Sequence, residues 1–264
     1  MSRTAKHRSI GSAICILLVV PVLLACNKDP VDVEDDPLPD ADLRVLFIGN
    51  SLTYTNRLPD MVKTIAEATG HTMAVGMVAL PNVSLEDHWL NGIEQTILSD
   101  KADVVVMQQG PSSLPQNQEY LRAWTEILAD PIRAAGGEPA LCMVWPDITR
   151  VDAFGAVYQS YLGAANAVNG ILIPAGLAWV HSWELDPELQ LYGSDGFHPS
   201  DLGTAVAALT IFRVLFNEDV SILPDRFVPV TPSLPIVDLG PRAPFIRQAV
   251  ETAVEAAGVG IRTK

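Results

Sequence analysis

The chain has 264 residues, 48% hydrophobic and 18% charged, a balance that excludes a disordered chain or a collagen-like repeat and suits one α/β domain or two small ones. A domain of this size buries roughly 70% of its unfolded-chain surface, so its fold requires no staples. Formal charge is −14, and setting aside Arg3, Lys6 and Arg8 leaves 14 basic against 31 acidic residues, or −17, a field that repels phosphate backbones and argues against a nucleic-acid partner.

Those three basic residues precede an almost uncharged run over residues 10–24, too short to span a bilayer comfortably, which reads as an export signal. The run ends in Leu23-Leu24-Ala25-Cys26, which resembles a bacterial lipobox. The resemblance implies a signal peptide over residues 1–25 and a lipid on Cys26, the first residue of the mature chain. Asn27 stands where an aspartate would suggest inner-membrane retention, so anchoring to the outer membrane or cell surface is expected. Residues 26–42 form the expected tether: NKDPVDVEDDPLPDAD after the cysteine carries seven acidic residues and three prolines, self-repels and cannot build a core. Its spacing does not fit an EF-hand and no glycine supplies the turn. Of the remaining thiols, Cys15 lies inside the export signal and Cys142 reads as a small buried hydrophobe. No CxxC pair supports a disulfide or a metal site.

From residue 43 to 264 one domain is expected. Residues 43–48 (LRVLFI) form a short apolar, β-branched run ahead of Gly49, as in a buried parallel strand. Residues 58–68 place Met61, Val62, Ile65 and Ala68 at helical spacing, with Pro59 in the first turn and Gly70 past the end. Further strands are predicted at 73–80, 103–108, 140–145 and 171–173, and helices near 85–98, 118–135, 154–168, 201–216 and 245–257. The alternation predicts a single three-layer α/β/α domain on a mainly parallel five-stranded sheet, flavodoxin-like, with ligands at the carboxyl ends of its strands. The proline-rich stretch 223–244 has no assignable element.

Gly49-Asn50-Ser51-Leu52 stands directly after the first strand and before a helix, so the Ser51 hydroxyl can project from a sharp turn with its own N–H exposed. A serine needs a base, normally a histidine oriented by a carboxylate. Asp195-Gly196-Phe197-His198-Pro199 supplies both in one loop, if the loop turns at Gly196. Each signal alone is the ordinary mark of a helix cap or a turn.

Together, at the two ends of one α/β domain, GNSL and DGFHP resemble the SGNH or GDSL-type hydrolases, a family of esterases and lipases. The resemblance implies Ser51 as nucleophile, His198 as general base and Asp195 as its orienting carboxylate, with no metal or organic cofactor. It also implies an oxyanion hole built from the serine N–H, a glycine N–H after the second strand and an asparagine after the third. Here the match loosens. The second strand is followed by Leu80-Pro81-Asn82-Val83, where Asn82 tolerates unusual backbone angles better than Val83. The third is followed by Gln108-Gln109-Gly110-Pro111-Ser112, where Gln109 is the favoured donor, with Gln108 and Ser112 as alternatives.

The implied chemistry is two-step acyl transfer through an acyl-enzyme. Aromatics are only 6% of the chain, which argues against a long-chain lipase mouth, and the Gln-Gly pattern resembles carbohydrate esterases. The expectation is deacylation, of acetyl above all, of a sugar or glycan. Alternatives are a glycan-binding lipoprotein on a degenerate hydrolase fold, motivated by the missing glycine and asparagine, and a lipase or thioesterase. His88 could border the site or be merely solvated. Trp145 could stack on a sugar or pack in the core, and Trp179 and Trp183 share one helix face. Oligomeric state is not legible.

Overall fold

A computed structural model describes residues 37–258. The predicted signal peptide, the Cys26 lipidation site and most of the tether lie outside the described residues. The tether's last residues, 37–42, do not stand away from the domain: the Leu38 amide donates to the Asp100 carbonyl at 3.3 Å, and Asp42 accepts from the Thr72 amide at 2.7 Å.

Five parallel strands, β1 (Leu43–Gly49), β2 (Met73–Ala79), β3 (Val104–Met107), β4 (Glu138–Cys142) and β5 (Ile171–Ile173), form one sheet in the order β2-β1-β3-β4-β5. Val45, Leu46, Phe47 and Ile48 of β1 and all of β3 are buried, as continuous apolar runs flanked by helices on both faces require. The helices are α1 (Ser51–Tyr54), α2 (Leu58–Ala68), α3 (Leu85–Leu90), α4 (Ile93–Asp100), α5 (Pro115–Ala134), α6 (Phe154–Ala167), α7 (Ala175–Leu185), α8 (Asp201–Phe216) and α9 (Ala243–Ala256). α2 packs on α8, and α8 on α7 and α9; α5 packs on α6, α4 and α3. Among the described residues no helix is long and apolar enough to cross a membrane.

Three expectations change in detail. The helix expected over 85–98 is two helices, because Asn91-Gly92 turns the chain, with Gly92 at φ 84°. The strand expected over 140–145 leaves the sheet after Cys142, because β5 is only three residues long and cannot pair further. Residues 223–244, unassigned by pattern, carry a two-residue hairpin, β6 (Arg226–Phe227) with β7 (Val237–Asp238).

The segments beyond the carboxyl ends of the strands are braced by aromatic rings. Trp145 and Trp179 stack with centroids 3.8 Å apart. The Trp145 indole donates to the Phe197 carbonyl at 3.0 Å, the Trp179 indole to the Gly203 carbonyl at 3.0 Å, and the Tyr192 hydroxyl to the Pro146 carbonyl at 2.6 Å. Gly203 is obligatory in this packing: a Cβ there would meet the Leu191 carbonyl oxygen at 2.1 Å. That close approach of α8 fixes the segment leading into residues 193–199.

Candidate active site

Strand β1 delivers Gly49-Asn50-Ser51 to the carboxyl edge of the sheet. Gly49 is required by crowding, since a Cβ would lie 2.2 Å from Thr53 Oγ1 and 2.5 Å from Gln108 Oε1. Asn50 caps α1, its Oδ1 accepting from the Leu52 amide at 3.1 Å, and its Nδ2 donates to the Val83 carbonyl at 3.3 Å. Ser51 follows at the first position of α1, largely buried, and lines a cavity of about 420 Å³. Asn82, Gln109, Asn117, Tyr120 and Arg150 share that lining.

The second loop carries the carboxylate and the imidazole. It turns at Gly196, whose φ of 71° suits glycine. Asp195 Oδ1 accepts from the amides of Phe197 at 3.0 Å and His198 at 2.9 Å. Asp195 Oδ2 sits 2.6 Å from His198 Nδ1. This side-chain bond to His198, reinforced by the Phe197 amide, holds the Asp195 carboxyl down to about 2. An ionised Asp195 accepts from His198 Nδ1–H, so the carboxylate engages one ring nitrogen and leaves Nε2 as the other.

The loop itself is held from three sides. The Gly193 amide donates to the His198 carbonyl at 2.7 Å, the Ile148 amide to the Gly196 carbonyl at 2.8 Å, and Asn56 Nδ2 to the Pro199 carbonyl at 3.0 Å. Asn56 follows α1, so it ties the segment after Ser51 to the residue after His198. Phe197 lines the same cavity as Ser51. The structure thus brings both loops to one cavity. Among the described residues no hydrogen bond joins the Ser51 hydroxyl to His198, a contact that in unliganded enzymes tightens on substrate binding.

The expected oxyanion donors meet different fates. Asn82 lines the cavity with φ 59°, the left-handed conformation a glycine would otherwise supply. Gln108 is fully occupied: its Oε1 accepts from the Asn50 amide at 3.0 Å and from Thr53 Oγ1 at 2.8 Å, while its Nε2 donates to Asn50 Oδ1 at 3.0 Å and to the Gln109 carbonyl. Ser112 has spent its proton on the Gly110 carbonyl at 3.0 Å. Gln109 Oε1 accepts from the Leu85 amide at 3.2 Å, which turns its NH₂ toward Ser112 Oγ at 3.0 Å and leaves one proton uncommitted on a cavity-lining side chain. Of the three candidates after β3, only Gln109 retains a donor.

His88, for which solvation was the plainer expectation, is buried at 2% exposure. Its Nε2 lies 2.8 Å from the Gly49 carbonyl, and burial holds its pKa below the ordinary 6.5, so it donates there as a neutral ring. Trp145 belongs to the core, at 1% exposure. Cys142 is buried, with its thiol pushed up to about 12 by desolvation. Tyr161, unremarked in the sequence, donates to the Gln109 carbonyl at 2.7 Å and pins the turn after β3. Arg150 and Asn117 also went unremarked, although both follow strands at the carboxyl edge, the one signal that could have found them. Among the described residues no group of three His, Cys, Asp or Glu is arranged to hold a metal.

No protein-family model matches the chain, and no curated protein matches it. Among solved structures it is similar to a DUF4886 family protein from Bacteroides uniformis, at 20% identity over 81% of this chain and 95% of that one, with a TM-score of 0.67. It is also similar to a candidate SGNH hydrolase from Slackia heliotrinireducens, at 25% identity over 65% of this chain and 97% of that one, TM-score 0.54. A catalytic mutant of an acetylxylan esterase from Geobacillus stearothermophilus matches at 14% identity over 66% of this chain and 94% of that one, TM-score 0.51. The chain has the SGNH-hydrolase fold.

Proposed function

We propose that the chain is a serine esterase that removes small acyl groups, acetyl above all, from carbohydrate or glycan substrates through an acyl-enzyme. His198 Nε2 takes the Ser51 proton as the hydroxyl attacks the ester carbonyl. The oxyanion is held by the Ser51 and Asn82 amides and the free proton of Gln109. Protonated His198 then releases the alcohol, and a water activated by the same ring frees the acid. The observation that carries this reading is the 2.6 Å Asp195–His198 bond on a loop whose Phe197 lines the Ser51 cavity. The polar lining, with Ser84, Asn117 and Tyr120, favours a hydroxyl-rich alcohol over a long acyl chain. The acetylxylan esterase among the fold neighbours is consistent with that choice.

Covalent labelling of the full chain by a fluorophosphonate, lost in Ser51→Ala, is the expected result. Absence of labelling, with p-nitrophenyl acetate, acetylated xylan and acetylated sialic acid all left intact, refutes the proposal. It would favour glycan binding without turnover, the reading motivated by Asn82 and Gln109 standing where the family pattern has a glycine and an asparagine. We also place the protein outside the cytoplasm, anchored by lipid on Cys26. Cys26→Ser expressed with its whole N-terminus is then expected to leave the membrane fraction, and retention there refutes the anchor.

A further inference from the structure

Arg150 is the one charged side chain among the described residues that line the Ser51 cavity. It is also the one described arginine outside every ion pair: each of the others has a carboxylate oxygen within 3.8 Å. In a chain carrying −14, where acidic residues outnumber basic ones 31 to 17, an arginine without a carboxylate is conspicuous. We infer that Arg150 receives a carboxylate of the substrate, and that the alcohol part of the ester is an acidic sugar. This inference rests on the esterase reading above.

The local structure presents the guanidinium to the cavity on a rigid frame. Arg150 belongs to the 3₁₀ turn Ile148–Ala153 that follows β4, and breaks its helical backbone with φ −132° and ψ 32°. Asp147 caps that turn, its Oδ1 accepting from the Thr149 amide at 2.8 Å and the Thr149 hydroxyl at 2.7 Å. The Ile148 amide donates to the Gly196 carbonyl at 2.8 Å, so the turn is joined to the loop that carries His198. Arg150 Nη2 then donates to Ser113 Oγ, in the loop after β3, at 2.8 Å. That bond uses one of the five guanidinium donors and leaves the others for a planar anion, which the fork geometry suits.

Nearby carboxylates do not take that place. Asp147 lies in the field of Arg150 but is spent on its own turn. Across the cavity, Glu86 is bonded to the Tyr120 hydroxyl, and Asp87 Oδ2 to the Ser84 amide at 2.7 Å. The acidic surface offers an anionic substrate no general attraction, so any preference for one must be made inside the cavity.

The test compares two substrates acetylated at the same hydroxyl, a methyl glucuronoside and the corresponding neutral methyl glucoside, with the full chain as enzyme. The expected wild-type kcat/KM favours the glucuronoside by about 10- to 100-fold, the range for a charge-assisted pair. In Arg150→Met that ratio is expected to fall to about one, mainly through KM, while Arg150→Lys keeps part of it as a point charge without the fork. A wild-type ratio near one, with both sugars hydrolysed, overturns the inference and leaves the esterase reading standing. A preference that survives in Arg150→Met overturns it as well. If neither sugar nor p-nitrophenyl acetate is hydrolysed, the esterase reading itself falls, and the inference with it.

Discussion

Replacing Gln108 by leucine tests whether the turn before Ser51 is held by this one side chain. The leucine removes four hydrogen bonds, but their partners do not suffer equally. Asn50 Oδ1 still accepts from the Leu52 amide, and the Gln109 carbonyl still accepts from Tyr161. The Thr53 hydroxyl can rotate to another acceptor. The Asn50 amide, which donates to Gln108 Oε1 in a buried position, is left with nothing. An orphaned buried donor costs about 1–3 kcal/mol, and the lost net value of the other bonds brings the total to roughly 2–4 kcal/mol. Gln108→Glu keeps both accepting contacts but sets a carboxylate oxygen against Asn50 Oδ1 and the Gln109 carbonyl, so it is expected to be worse at neutral pH. Urea unfolding at pH 7, with unchanged slope, measures both losses. A Gln108→Leu midpoint corresponding to less than about 1 kcal/mol would refute the account, because the Asn50 amide would then have to be satisfied elsewhere.

Two other perturbations turn on pH. His88 is buried with its pKa lowered, so it favours the folded state above its ordinary 6.5 and gives up that contribution as pH falls below it. His88→Gln, which can donate to the same Gly49 carbonyl without titrating, is expected to lose less stability than wild type between pH 6.5 and 5, and parallel urea midpoints there count against the assignment. The Asp195 carboxyl lies at about 2 instead of 3.8, so its contribution is full above pH 4 and is lost as pH falls through 2. The stability difference between wild type and Asp195→Asn should close only in that acid window, while ester hydrolysis at pH 7 should fall roughly 10⁴-fold in the variant. A difference that has already closed at pH 5, or a rate within about tenfold of wild type, contradicts the proposed role.

How much of this was legible follows from how local each signal is. The helix at 58–68 could be read to the residue because apolar spacing, a first-turn proline and an end signal all agree within the segment. The stretch 85–98 could not, because its apolar spacing continues across Asn91-Gly92, and pattern alone does not say that the glycine takes φ 84°. Strand β4 was read too long, since an apolar run records burial, whereas pairing ends where the neighbouring strand ends. At the site, the place of Ser51 just after β1 and the contact between Asp195 and His198 were legible because each stands in a short motif at a strand end or turn. The choice between Gln108 and Gln109 was not, because it depends on which amide protons are already spent, and their acceptors lie at Asn50 and Ser112. The burial of His88 likewise depends on β1 passing beneath α3, a contact with no trace in the sequence around it.

Gln108 and His88 look unrelated until their partners are placed on the backbone. The Gly49 carbonyl and the Asn50 amide are the two ends of one peptide unit. His88 Nε2 grips the carbonyl at 2.8 Å and Gln108 Oε1 grips the amide at 3.0 Å, with the Leu80 amide at 3.2 Å as a second donor to the carbonyl. The unit is planar, so fixing both ends fixes its rotation, and with it the direction in which the chain enters Ser51. Apolar packing could bury this unit, but only directed hydrogen bonds can set its orientation. If either grip alone suffices to hold the plane, His88→Leu and Gln108→Leu each leave the other grip in place, and the double variant leaves only the Leu80 amide on the carbonyl end. Fluorophosphonate labelling rates should then show a coupling of about 0.5–3 kcal/mol between the two sites, the double variant losing more than the sum of the singles. Strictly additive losses would mean that the two side chains act on Ser51 independently, and that the peptide unit between them is not what positions the nucleophile.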